Sequence, residues 1–279
     1  MLVLDCETPD TAVSSLSRAT VVPPQDLLKA IQHADQSLAR PWQDPSSALP
    51  ENALSAVGVD IEKVAFDAAY YFHGTRTVDP RLFLADGIKP LGLVLDQLWN
   101  ALHLLCADDM PADRWKAIRH ELEHGIPRSR SDGHRAWLYR LKQPNPAHHG
   151  PYASLIREHT LNPIDGQHDY LTTPEIVQDI AGHIGGDLQA RFEAAATSCI
   201  VKFRHPEVGL HQIEATIWYL HRHLNGEPLD WNTLHFIDCR NVAVPAVAVE
   251  YVDEIEPKSR PDHPRASRHR HLRSGDAVG

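Results

Sequence analysis

Apolar positions recur at helical spacing through much of the chain, broken by a few short runs of aromatic and β-branched residues. Near the start, VSSLSRA is followed by PPQDLLKAIQHA. Leu27, Leu28 and Ile31 share one face there, and prolines stand where a helix begins, so residues 10–40 predict two short helices. Residues 40–52 carry three prolines and predict a loop. The run AAYYFH at 68–73, bounded by Gly74, predicts a buried strand. PRLFLADGI predicts one or two helical turns closed by Gly87. The stretch from Leu91 to Leu105 is apolar and long enough for a core helix. Residues 111–124 predict an amphipathic helix with Trp115, Ile118 and Leu122 on one face, stopped by Gly125 and Pro127.

The second half alternates between the two periods. RAWLYRLK at 135–142 has the alternation of a strand, and PNPAHHGP at 144–151 that of a loop. After Asp169, TPEIVQDIAGHIGGDLQARFEAAA predicts helix with a break at Gly185–Gly186. SCIVKFRH at 198–205 predicts a strand, and GLHQIEATIWYLHRHL at 209–224 a helix with Ile213, Ile217, Leu220 and Leu224 aligned. LHFIDC (234–239) and VAVEYVDEI (247–255) predict strands separated by a Val-Pro turn. The chain thus divides into a helical cap (1–66), a mixed main domain (67–256) and a basic tail (257–279). The tail is too polar to offset its ordering entropy, which predicts disorder.

Charge sharpens that division. Net charge is −10. The tail holds six Lys and Arg against Asp262 and Asp276, so it carries +4 and the remainder −14. An acidic body argues against a duplex DNA-binding surface. Cys6, Cys106, Cys199 and Cys239 are far apart with no CxxC pair, which argues against a disulfide framework or a thiolate zinc site. The first residues lack the basic start and long apolar core of a signal peptide, and no run approaches the ~20 apolar residues that span a bilayer. The expected location is the cytoplasm, without a membrane partner.

Two segments compete for chemistry. HELEH at 120–124 matches H-E-x-x-H, in which two histidines one helical turn apart bind zinc and a glutamate activates water. His120, Glu121 and His124 would be the residues of a zinc hydrolase. Their helix ends at Gly125, and the residue between the ligands is charged, so a solvated helix face is the competing reading. The second segment is YYFHGTR at 70–76. An aromatic strand delivers His73, then Gly74, where a ligand can approach the backbone, then Thr75 and Arg76. An imidazole can bond a ribose hydroxyl, bare backbone can pair with a planar amide, and a guanidinium can grip a phosphate. No GxGxxG, P-loop or GxSxG motif occurs.

YFHGTR followed by LADGIKPLG resembles the first block of the ADP-ribosyltransferase fold, in its His-Tyr-Glu class of poly-ADP-ribose polymerases and DNA-targeting bacterial toxins. The resemblance implies an α+β fold: a split, mainly antiparallel β core with helical insertions, binding NAD as substrate in a cleft. It implies NAD-dependent ADP-ribosyl transfer to a macromolecular acceptor, or NAD hydrolysis, in a toxin or defence effector. His73 would bind ribose, Gly74 the nicotinamide amide, and Thr75 and Arg76 would line the pocket. Tyr152, in GPYAS, or Tyr170, in DYLTTPEI, would stack on nicotinamide. The family's glutamate has no clear counterpart, since none opens the strand LHFIDC. Glu214, flanked by Gln212, and Glu250, on the last strand, remain open. Without that carboxylate, the chain would be a nucleotide- or partner-binding module that does not turn over.

Overall fold

The computed structural model describes residues 1–34, 45–125, 134–142, 149–164 and 169–256. The tail, whose disorder the composition predicts, lies outside them.

The architecture is mixed α and β around one open, mainly antiparallel sheet. Strand β1 (Val3–Leu4) leads into α1 (Pro9–Thr20), α2 (Pro24–Gln32) and α3 (Pro45–Ser55). Helix α1 starts at a reciprocal cap between Thr8 and Thr11, which satisfies amides that a helix start leaves unpaired. The predicted loop over 40–52 is corrected from Pro45 onward. Pro50 lies inside α3, and Leu49, Ala53 and Leu54 are buried, so burial of an apolar face outweighs the proline signal.

Next come β2 (Ala68–Thr77), α4 (Leu82–Asp86), α5 (Leu91–Leu104), α6 (Ala112–His124) and α7 (His134–Lys142). The strand expected at 135–142 is therefore a helix. Ala136 and Tyr139 lie three apart and are both buried, while Trp137 and Leu141, four apart, face out. Strand β3 (Tyr152–Ser154), α8 (Arg157–Leu161), α9 (Glu175–Ile184) and α10 (Leu188–Ala195) follow, with the break at Gly185–Gly186 as expected. The chain closes with β4 (Thr197–His205), α11 (Leu210–Leu224), β5 (Phe236–Asp238) and β6 (Val249–Ile255). The sheet order is β5-β3-β2-β4-β6, with β1 parallel to β2 at Ala68 and Ala69.

Two apolar cores form. One joins the inner sheet face (Tyr71, Ala153, Val201, Phe203, Ile237) to α1, α2, α3 and α11. The N-terminal helices thus share a core with the sheet, and β1 adds a strand to it. The other core is purely helical, with Trp99, Trp115, Leu122, Tyr139, Val177, Ile180 and Phe192 drawn from α5, α6, α7, α9 and α10. Among the described residues, no helix is long and apolar enough to cross a membrane.

Candidate functional site

Strand β2 pairs with β4 along all but its first residue, from Ala69↔His205 to Thr77↔Thr197. Its pairing with β3 is a single rung, Phe72↔Ser154. Beyond that rung the two strands part. His73 bridges the opening: its Nδ1 donates to the carbonyl oxygen of Tyr152 at 2.7 Å. A side-chain bond therefore stands where the next ladder bond would fall. The carbonyl can only accept, so the proton is on Nδ1, and Nε2 presents a lone pair. Burial pushes the imidazole pKa below its ordinary value and so favours the neutral ring, an effect partly offset by the bond to the Tyr152 carbonyl. Phe83 of α4 packs edge-on against the ring. The GI element lies alongside: Gly87 closes α4 against the Val244 backbone, and Ile88 pairs with Val244.

Strand alternation sends His73 toward the core face, beside Val201, and Tyr152 toward the opposite face with Phe72 and Ser154. Tyr152 remains 37% exposed and lies opposite Asp238 of β5. Its hydroxyl pKa is raised by burial and by the charges of Asp238 and Glu175. Tyr170 is raised by burial, Glu175 and Tyr152. The two tyrosines and Glu175 therefore share one neighbourhood. Glu175 was not singled out from the sequence. It opens α9 as an unremarkable first-turn acid, with Lys142 at 3.5 Å, and only the fold brings its charge to bear on Tyr152.

The other carboxylates stand elsewhere. Glu214 is on α11, 3.1 Å from His211 of the same helix, and α11 packs on α1, α2 and α3. Its neighbour Gln212 is buried and donates to the Tyr71 hydroxyl. Glu250 is on β6, two strands from β2, and accepts from Tyr70 at 3.4 Å.

Gly74 and Arg76 serve the fold in ways the sequence does not reveal. A Cβ on Gly74 would collide with Thr160 Cγ2 and touch Leu171. Arg76 gives its guanidinium to Ala196 O (3.1 Å), Ser198 Oγ (3.1 Å), Thr172 O, Leu171 O and Glu193 O. It caps carbonyls at the end of α10, so it is not available to a phosphate. Thr75 points from β2 toward the same face as His73, opposite Cys199.

Comparison with protein-family models, curated proteins and solved structures finds no match. The residues themselves must carry the functional argument.

The HELEH helix offers a different picture. His120 and His124 lie on the exposed side of α6 with rings stacked 4.6 Å apart, and His124 Nδ1 donates to His120 O at 3.2 Å. Among the described residues, no group of three or more His, Cys, Asp or Glu is arranged to hold a metal.

Proposed function

We propose that the chain binds NAD at the parting of β2 and β3 and releases nicotinamide, transferring ADP-ribose to a macromolecular acceptor or to water. The observation that carries this reading is the His73–Tyr152 bond. It presents a neutral imidazole, with Nε2 free to accept a ribose hydroxyl, where two strands separate. Tyr152, whose carbonyl holds His73, and Tyr170, electrostatically coupled to it, would stack on the nicotinamide ring. Glu175 is the carboxylate whose charge acts on both tyrosines, and it would stabilise positive charge developing on the ribose as the glycosidic bond breaks. In this reading Glu175 takes the part that the sequence left between Glu214 and Glu250.

Incubation with NAD should release nicotinamide in wild type. His73→Ala should lower the rate by at least about 100-fold, a typical effect of losing one oriented polar group. No turnover by wild type would sink the catalytic reading. Binding should also depend on pH with a definite sign. Protonation removes the Nε2 acceptor, so affinity holds at pH 7 and falls only once the pH drops below the ordinary histidine value of about 6.5, because the folded pKa is depressed.

A second reading, an NAD-binding module without turnover, is favoured by one observation. Arg76 is consumed internally, which leaves the diphosphate without the cation that the HGTR segment offered. NAD binding with no nicotinamide release selects it.

A further inference from the structure

Helix α8 is five residues long, yet it holds two of the five buried side-chain polar atoms that have no partner among the described residues, Arg157 Nε and His159 Nδ1. The His159 case is chemically definite. Thr233 Oγ1 gives its proton to Asp230 O at 2.6 Å, and Thr233 O can only accept. His159 Nε2, 2.8 and 3.1 Å from those two oxygens, must therefore carry the ring proton, and Nδ1 is left as a buried lone pair with no donor. Arg157 reaches Asp253 through Nη2 and leaves its Nε–H unanswered. Buried polar atoms without partners penalise the position that buries them. The helix is thus held in place against a cost.

What holds it is equally specific. Arg157 N donates to Cys6 O at 3.2 Å, and Cys6 bridges Ile156. On either side of Cys6, Asp5 and Glu7 grip the buried Lys202 amine at 2.8 and 2.7 Å. Thr160 then enters the notch left by Gly74 and donates to Phe72 O at 3.3 Å. Residues 5–7 and 156–161 together line the edge of β2 where it parts from β3, with Cys6 and Ile156 buried in the sheet core and Asp5, Glu7 and Thr160 reaching the outer face.

We infer that α8 is an autoinhibitory strap, which caps Gly74 in the structure described here and lifts to let a planar ligand reach the Gly74 backbone. The ligand's identity rests on the function proposed above; the motion does not.

Hydrogen exchange on the full chain separates the two. Amides of 156–161 should exchange at least about 100-fold faster than those of the β2–β4 pairing, because local opening needs far less free energy than global unfolding. Asp253→Asn, which weakens the Arg157 anchor, should speed 156–161 a further ~10-fold and leave β4 unchanged. NAD should accelerate 156–161 while protecting His73 and Gly74. If 156–161 exchange in step with β4 in both proteins, the strap is refuted, whatever NAD does. If 156–161 open locally but NAD alters no amide, the strap stands and the NAD reading fails.

Discussion

The two cores bury comparable side chains by opposite routes. The helical core takes its residues from Trp99 to Ala196, contributed by α5, α6 and α7 and, after β3 and α8 intervene, by α9 and α10. The sheet core gathers residues from Leu4 to Val244 and depends on strands far apart in sequence, such as β2 against β4. Polar groups differ in the same way. In the helical core, Trp99 Nε1 donates to the Tyr139 hydroxyl at 2.9 Å, and Tyr139, Glu123, Arg119 and Asp96 continue the chain of bonds out to solvent. Against the sheet, Lys202 is enclosed: Asp5 and Glu7 bind its amine, and the rings of Tyr70, Phe72 and Tyr251 surround it within 4.3 to 5.7 Å. The helical core is a packing unit with a wet rim. The sheet core is a long-range construction, with a buried lysine held on the opposite face of the same sheet, and the candidate site lies on that sheet.

The sharpest way to break this comparison is Trp99→Ala. Removing a fully buried indole should cost about 4 kcal/mol by urea unfolding, with loss of the helical signal. Hydrogen exchange should show the β2–β4 amides still protected under conditions where α5, α6 and α7 have opened. Collapse of both at once would mean that the two cores are one cooperative unit.

Lys202→Met comes next. It leaves Asp5 and Glu7 without their cation and should cost about 3 kcal/mol at pH 7. Its pH dependence tests the mechanism. Burial works upward on the Glu7 carboxyl, but hydrogen bonds from Lys202 and Tyr251 outweigh it and bring its pKa below the ordinary value. In wild type that contribution is full above the unfolded carboxylate value and is lost as the pH falls through the lowered one. The variant lacks it, so the gap between the two proteins should narrow from pH 7 toward pH 3. A gap independent of pH would show that Lys202 matters only through packing.

The smallest expected effect is that of Arg135→Ala. Asp179 is buried, but Lys142 remains on it at 2.6 Å and the Arg135 side chain is 46% exposed, so the loss should stay under about 1 kcal/mol. A larger loss would give the helical core an electrostatic pin of its own and erase the contrast with the sheet.

Much of this was legible in the chain. The runs around Tyr71, Val201 and Val252 read as strands because residues buried on a sheet leave a short, dense apolar signal. The α5, α6, α9, α10 and α11 periods are equally plain. Residues 135–142 were not, because Trp137 and Leu141 are apolar yet face outward, which turns a helical period into apparent alternation. Strand β3 is only three residues long, too short to leave a period at all. At the candidate site, His73 and the strand that carries it were visible. The roles of Gly74 and Arg76 were not, since Thr160, Glu193 and Ala196 come from distant positions that only the fold brings together. Glu175 left no signal because a glutamate in the first turn of a helix is ordinary.

One binding isotherm bears most directly on the account: NAD titrated into the full chain by calorimetry at pH 7.5, with His73→Ala alongside. The bonded imidazole at the parting of β2 and β3 predicts saturable one-to-one binding that weakens by at least about tenfold in the variant, roughly the worth of one good hydrogen bond in a partly buried site. Equal affinity in both proteins, or no heat in either, would contradict it.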